Sequence, residues 1–454
     1  MTSASAHRAR RLLAWVGIGL VVALLTGPAA RTSAPVMARP GGSARTGSPP
    51  ATTSAPATTA SAPETTASAV PTAAPTEAPV VTLVAIPDFV NCDIADLRAL
   101  PGWDPGMANG TSRSWRRALA HVLDQVQRES PDAVLVAGDL VDGRWGEDPD
   151  GSGLFGPVGS ERERRAAIAA AADVYYPAWS RRFARRDLPV FPAVGDHEIG
   201  DNPWPVGTFD YRAVPVFRRA FADAFTRQPD GHPRFLVRPR HTPQAGTAYA
   251  VRLAPDVLLV TLDVFRRTST GVVASVSGGQ LRWLDRVLGA ARRDGVRWLV
   301  VQGHVPVLPT RAFYSSGDLV VGGRESPLWR TLVRHRVDLY VAGEVHVVSA
   351  RRADGVLQVT GGTLVSHGRS SYLRVRVSRH RLELVGMATT GGAHWYLPGR
   401  LWETTWRRPP SEVWLHAHPW RVGALTVVRR QRRDVLVSAS GALRPGARGW
   451  SGQH

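Results

Sequence analysis

Lysine is absent. All 56 basic residues are arginine, set against 37 carboxylates for a net charge of +19. Such a balance suits anionic partners. The charge is scattered, however, and lacks the aromatic interleaving of a nucleic-acid-binding module. No specific nucleic-acid binding is expected. Cysteine is nearly absent, with Cys92 alone in the chain. That excludes an internal disulfide and a cysteine-based metal cluster. A bound metal must then be held by His, Asp, Glu or Asn. Long apolar runs are scarce too. The run Leu12–Thr26 covers 15 residues, short of the roughly 20 that a membrane-crossing helix needs.

That run follows a basic stretch, His7–Arg11, and precedes small residues at Pro28–Ala30. Residues 1–30 therefore read as a signal peptide, with a membrane anchor as the alternative. Residues 31–79 are dominated by Ala, Thr, Ser and Pro. They cannot bury enough apolar surface to offset ordering entropy and read as an extended linker. The expected location is extracytoplasmic, secreted or held at a membrane or cell wall through the N-terminus.

From Val80 the pattern changes. Apolar runs at 80–86, 133–137, 190–194, 257–262, 298–302 and 337–342 read as buried strands. Helical spacing of apolar residues appears at 114–128 and at 281–291. Strands alternating with helices predict an α/β fold. Further strands at 357–360, 372–377 and 381–385 look antiparallel and close a domain over 80–390. Residues 391–454 form a basic extension, either a small added element or a loosely ordered tail; from Arg400 onward it sets ten Arg against Glu403, Glu412 and Asp434.

Five of these runs end in a residue able to bind metal. Ile86-Pro87 leads to Asp88, and Gly138 to Asp139. Gly195 leads to Asp196-His197-Glu198, Gly303 to His304, and Gly343 to Glu344-Val345-His346. In an α/β sheet the carboxyl ends of strands open onto one crevice, so residues distant in sequence can converge. Taken singly, Gly-Asp after a strand is a turn and a lone histidine is a core residue. Five in order imply one site.

These residues resemble the calcineurin-like metallophosphoesterases, which include purple acid phosphatases. Gly138-Asp139-Leu140-Val141-Asp142 matches the family's Gly-Asp-x-x-Asp. Gly195-Asp196-His197-Glu198 matches Gly-Asn-His-Glu/Asp with Asp for Asn. Gly303-His304 matches Gly-His, and Gly343-Glu344-Val345-His346 matches Gly-His-x-His with Glu for the first His. In the Asp-x-His block, Asp88 is kept but Val90 replaces the histidine; Asn91 and Asp93 stand nearby as substitutes. The resemblance implies a four-layer α-β-β-α sandwich with mixed sheets. It also implies two divalent metal ions and a phosphate ester substrate. One ion would take Asp88, Asp139 and His346. The other would take Asp139, Asp196, His304 and Glu344. A metal-activated hydroxide attacks phosphorus, His197 serves as general acid, and Asp142 fixes the His197 tautomer. Glu198 is read as a structural hydrogen-bonder. Oxygen-rich ligation favours Mn²⁺ over Fe or Zn²⁺. The alternative is a catalytically impaired envelope-binding module. His232, His241, His367, Arg369 and Trp204 carry no assignment.

Overall fold

The computed structural model describes residues 78–451, apart from 90–94, 96, 101–102, 104–112, 142, 149–150, 314–316, 364–368, 395–411, 417 and 431–432. The signal-peptide or anchor segment, nearly all of the linker, and Val90, Asn91, Cys92, Asp93, Asp142 and His367 lie outside the described residues.

Two large mixed sheets carry the chain. In the first, β1 (Val81–Ala85) runs parallel to β2 (Ala133–Val136), and β2 parallel to β3 (Val190–Pro192). In the second, β4 (Tyr249–Ala254) is antiparallel to β5 (Val257–Thr261). A two-stranded ribbon follows, β6 (Phe265–Arg267) with β7 (Val272–Ala274). The second sheet continues through the parallel strands β8 (Trp298–Gln302) and β9 (Leu339–Ala342). It closes with β11 (Val356–Gly361) beside β9 and β10 (Val348–Ala353) at the edge. The first sheet resumes on the other side of β1 with β12 (Arg369–Val377), β13 (Arg381–His394), β15 (Trp420–Arg430) and β16 (Arg433–Gly441), while β14 (Glu412–Leu415) pairs with the far end of β13.

Strand alternation sorts the side chains into layers. Val81, Leu83 and Ala85 of β1 meet Leu259, Val300 and Val341 in a cluster that contains no helical residue. That cluster fills the space between the sheets. Val84 and Ile86 point the other way, joining Leu119, Val122 and Val126 of α1 (Arg113–Arg128). Val260 and Val301 likewise share a cluster with Leu284 and Leu288 of α4 (Gly278–Arg293) and Leu328 of α5 (Pro327–Arg334). The arrangement is the expected α-β-β-α sandwich.

Three α-helices among the described residues were not singled out by the sequence pattern. They are α2 (Glu161–Ala184), α3 (Phe209–Phe221) and α5. The first is opened by a reciprocal capping box between Ser160 and Glu163. Its apolar face then buries Tyr176, Trp179 and Phe183. One boundary also shifts. Position 390 falls inside β13, and the basic segment beyond it adds β14, β15 and β16 to the first sheet. Leu425, Val427 and Leu443 from that segment lie in the inter-sheet core.

Candidate active site

The parallel strands β1, β2, β3, β8 and β9 deliver their carboxyl ends to one place. Asp88, Asp139, Asp196, His304 and Glu344 are all nearly or fully buried there. Such burial of charge is costly unless the groups are paired or hold a cation. The backbone turns hard to present them. Asp88, Asp139, Glu344 and His346 have φ of 58°, 59°, 68° and 52°. Left-handed backbone at non-glycine residues costs on the order of 1 kcal/mol or more each, and it gathers at functional sites. The preceding glycines are sterically required. A Cβ on Gly195 would lie 2.0 Å from Asp139 Oδ1, and one on Gly138 would lie 2.4 Å from His304 Nδ1.

His304 is the hub. Its Nδ1 sits 2.8 Å from the Ala137 carbonyl oxygen, which can only accept, so Nδ1 carries the hydrogen. Nε2 then faces Asp196 Oδ1 at 2.8 Å, Glu344 Oε2 at 3.2 Å and Asp139 Oδ2 at 3.3 Å. None of these approaches has hydrogen-bond geometry, and His304 Nε2, Asp196 Oδ1 and Asp88 Oδ2 are buried without a hydrogen-bond partner. Buried orphans of this kind fit cations held within the cluster. The donors form three overlapping groups: Asp88 with Asp139 and His304, Asp139 with Asp196 and His197, and Asp196 with His304 and Glu344. Asp139, Asp196 and His304 each belong to two of them. His346 Nε2 lies 3.9 Å from Asp88 Oδ1, at the margin of the first group.

The electrostatics follow from crowding. Burial, then the Asp196 charge, pushes Asp139 up to about 7. Burial raises Asp88 well above the usual carboxylate range, against the opposing pull of His304. Burial works against ionised Asp196 as well, yet contacts with His304 and His197 hold its pKa low. Burial disfavours the charged form of His304, but the surrounding carboxylates outweigh it and raise its pKa. Burial is the largest cause at each of the four groups, and the neighbouring carboxylates and imidazoles then shift one another.

Glu198 has the structural place expected of it. Its carboxylate accepts from the backbone N–H groups of Asp139, Leu140 and Gly195 at 2.7 Å, and of Val141 at 3.3 Å. It thereby ties the loop after β2 to the loop after β3. The His197 backbone N–H donates to Asp139 Oδ1 at 3.2 Å, and His197 Nε2 lies 3.9 Å from Asp139 Oδ2. Trp204 is a packing residue: its Nε1 donates to the Ile199 carbonyl and its ring meets Phe265 edge-on. His232 and His241 are exposed.

Three contacts went unforeseen. The Asn202 side-chain amide donates to Asp196 Oδ2 at 3.0 Å, the Asp318 backbone N–H to Glu344 Oε1 at 3.4 Å, and the Glu344 backbone N–H to Asp88 Oδ1 at 3.0 Å. Asn202 could have been noticed, being six residues after Asp196. The backbone donors leave no mark in sequence.

The profile of the calcineurin-like phosphoesterase family matches residues 105–348. The chain belongs to that family. As a calcineurin-like phosphoesterase it is a metal-dependent phosphoester hydrolase. The matched span holds Asp139, Asp196, His197, His304, Glu344 and His346, and begins after Asp88. No curated protein matches the sequence. Among solved structures, a dimetal phosphatase from Danio rerio is 16% identical, with a TM-score of 0.45, over 68% of this chain and 96% of that one. PhoD is 12% identical, with a TM-score of 0.43, over 82% and 74%. A purple acid phosphatase from yellow lupin seeds is 13% identical, with a TM-score of 0.41, over 68% and 52%.

Proposed function

We propose that this phosphoesterase is an extracytoplasmic hydrolase of phosphate mono- or diesters whose two cation positions share Asp139. Asp88, Asp139 and His346 would hold one cation. Asp139, Asp196, His304 and Glu344 would hold the other. The observation that carries the reading is His304, its tautomer set by Ala137 and its Nε2 facing three carboxylates. The cations supply a lowered water pKa and neutralise charge on the phosphoryl oxygens. The chain's own residues do the rest. Glu198 locks the two loops that carry Asp139 and Asp196. Asn202 orients Asp196 through its second oxygen. His197, partly open to solvent, holds a proton at Nε2 for the leaving oxygen of the ester.

Oxygen dominates the second set, with three carboxylates against one imidazole. That favours a hard cation, and Mn²⁺ is the proposed activator, with one ion tight and one loose. Protein stripped with EDTA should hydrolyse a chromogenic phosphate ester only after Mn²⁺ is returned. Two stoichiometric zinc ions surviving mild dialysis would count against the metal assignment. Replacing His197 by Ala should lower kcat by roughly 10²-fold or more. A variant as fast as the parent removes the acid role. Bound Mn²⁺ with no ester hydrolysed would favour the envelope-binding alternative.

The extracytoplasmic placement rests on the basic stretch and apolar run of residues 7–26 and on the Ala/Thr/Ser/Pro segment after them. Sequencing the N-terminus of the mature protein tests it. A start shortly after Ala30 supports secretion, an intact N-terminus in the membrane fraction supports an anchor, and an intact N-terminus in the cytosol refutes both.

A further inference from the structure

A second charged recess shares no lining residue with the metal-ligand cluster. It is a cleft of about 400 Å³ between α3, the loop 242–247 and β6, and five arginines line it: Arg218, Arg219, Arg227, Arg266 and Arg267. Two of them are neutralised. Buried Arg218 grips Asp263 through both oxygens at 2.7 and 3.1 Å, and Arg227 pairs with Asp223 at 2.6 Å. Arg267 stacks over the Tyr211 ring at 4.2 Å, which fixes the guanidinium and leaves its charge uncancelled. Arg219 and Arg266 are exposed and have no ion-pair partner among the described residues. The recess therefore carries about three uncompensated positive charges.

Arginine is common in this chain, so a basic surface alone would mean little. The lining adds a second observation. Thr242 Oγ1 is buried in the wall of the cleft without a hydrogen-bond partner. A buried hydroxyl with no partner is costly, and a change of Thr242 rotamer would offer it to an oxygen in the cleft. The floor is rigid as well. Arg218 and Gln244 both donate to the Phe265 carbonyl, at 2.6 and 3.3 Å. Planar guanidinium groups around a walled recess, with one free hydroxyl, match the tetrahedral oxygens of phosphate.

We infer that this cleft is a binding site for a phosphoryl anion, distinct from the catalytic cluster and sized for more than one phosphoryl group. The anion is either free, as pyrophosphate, or carried on a small organic molecule. The inference does not rest on the hydrolytic reading, because its test reads binding.

Isothermal titration of the Mn²⁺-loaded full chain with pyrophosphate tests it, beside the double variant Arg219→Ala/Arg266→Ala. The parent is expected to show a binding event that the variant weakens roughly tenfold or more, as loss of charge-assisted contacts requires. Both positions are exposed, so the fold should survive, and hydrolysis of a chromogenic ester should be unchanged. Thr242→Val should weaken the same event by a smaller factor. Parallel titrations with orthophosphate and a sugar bisphosphate separate the sources: tighter binding of the organic ester indicates a carried phosphoryl group, and equal or weaker binding indicates the free anion. In a second measurement, pyrophosphate should protect Arg219 and Arg266 from a dicarbonyl arginine reagent, read by peptide mass spectrometry. Equal pyrophosphate binding by parent and double variant, or no protection of either arginine, overturns the site.

Discussion

Glu198 shows how much of this active site is backbone. One buried carboxylate collects four N–H donors and so holds Asp139 and Asp196 in register. Glu198→Gln turns an NH₂ group toward those donors. Loss of on the order of 1–3 kcal/mol in stability is expected, together with weaker Mn²⁺ binding, read by denaturant unfolding and equilibrium dialysis. Unchanged unfolding would mean the clamp contributes little. Asn202→Ala removes a contact to Asp196 alone and should weaken Mn²⁺ binding with little change in unfolding. The ionisation of Asp139 gives a pH signature. In the metal-free fold it titrates at about 7 rather than near its ordinary 3.8. Between those values the folded chain keeps a proton that the unfolded chain has released. Its contribution to stability therefore falls as pH rises through that window. A cation needs the carboxylate ionised and reverses the preference. The rise in Tm on adding Mn²⁺ should thus be larger at about pH 8 than at about pH 5. A rise independent of pH would contradict the assignment.

At the level of strands and helices, what the sequence reveals depends on what each element buries. Strands such as β1 and β8 bury both faces, so they read as unbroken apolar runs and stand out. The polar residues just beyond them were legible for the same reason, since Asp88 or His304 interrupts an otherwise apolar context. β15 buries one face only, through Gly423, Leu425 and Val427. Its alternation was masked by the flanking arginines, and charge drew attention where period 2 should have. α2 was hidden by an alanine-rich run that gives helical spacing no contrast. Contacts made by main-chain N–H groups, such as Asp318 to Glu344, depend on fold alone. The place of β15 in the core can be checked directly. Leu425→Ala should cost about 2–5 kcal/mol in unfolding free energy. A cost within experimental error would detach the C-terminal strands from the core.

Across the whole molecule, the site exists only where two sheets meet. β1, β2 and β3 bring Asp88, Asp139 and Asp196 from one sheet, and β8 and β9 bring His304, Glu344 and His346 from the other. His304 comes from the second sheet, whereas Asp139 and Asp196, the carboxylates nearest its Nε2 beside Glu344, come from the first. A cation bound between them should stabilise the sandwich by mass action. The most direct test is the metal content of the chain after dialysis against Mn²⁺, measured for the parent, Asp139→Asn and His304→Ala. The parent should retain at least one Mn²⁺ per chain, and both variants should lose most of it while staying folded by circular dichroism. Folded variants that keep the parent's full metal content would contradict a cation site built on Asp139 and His304.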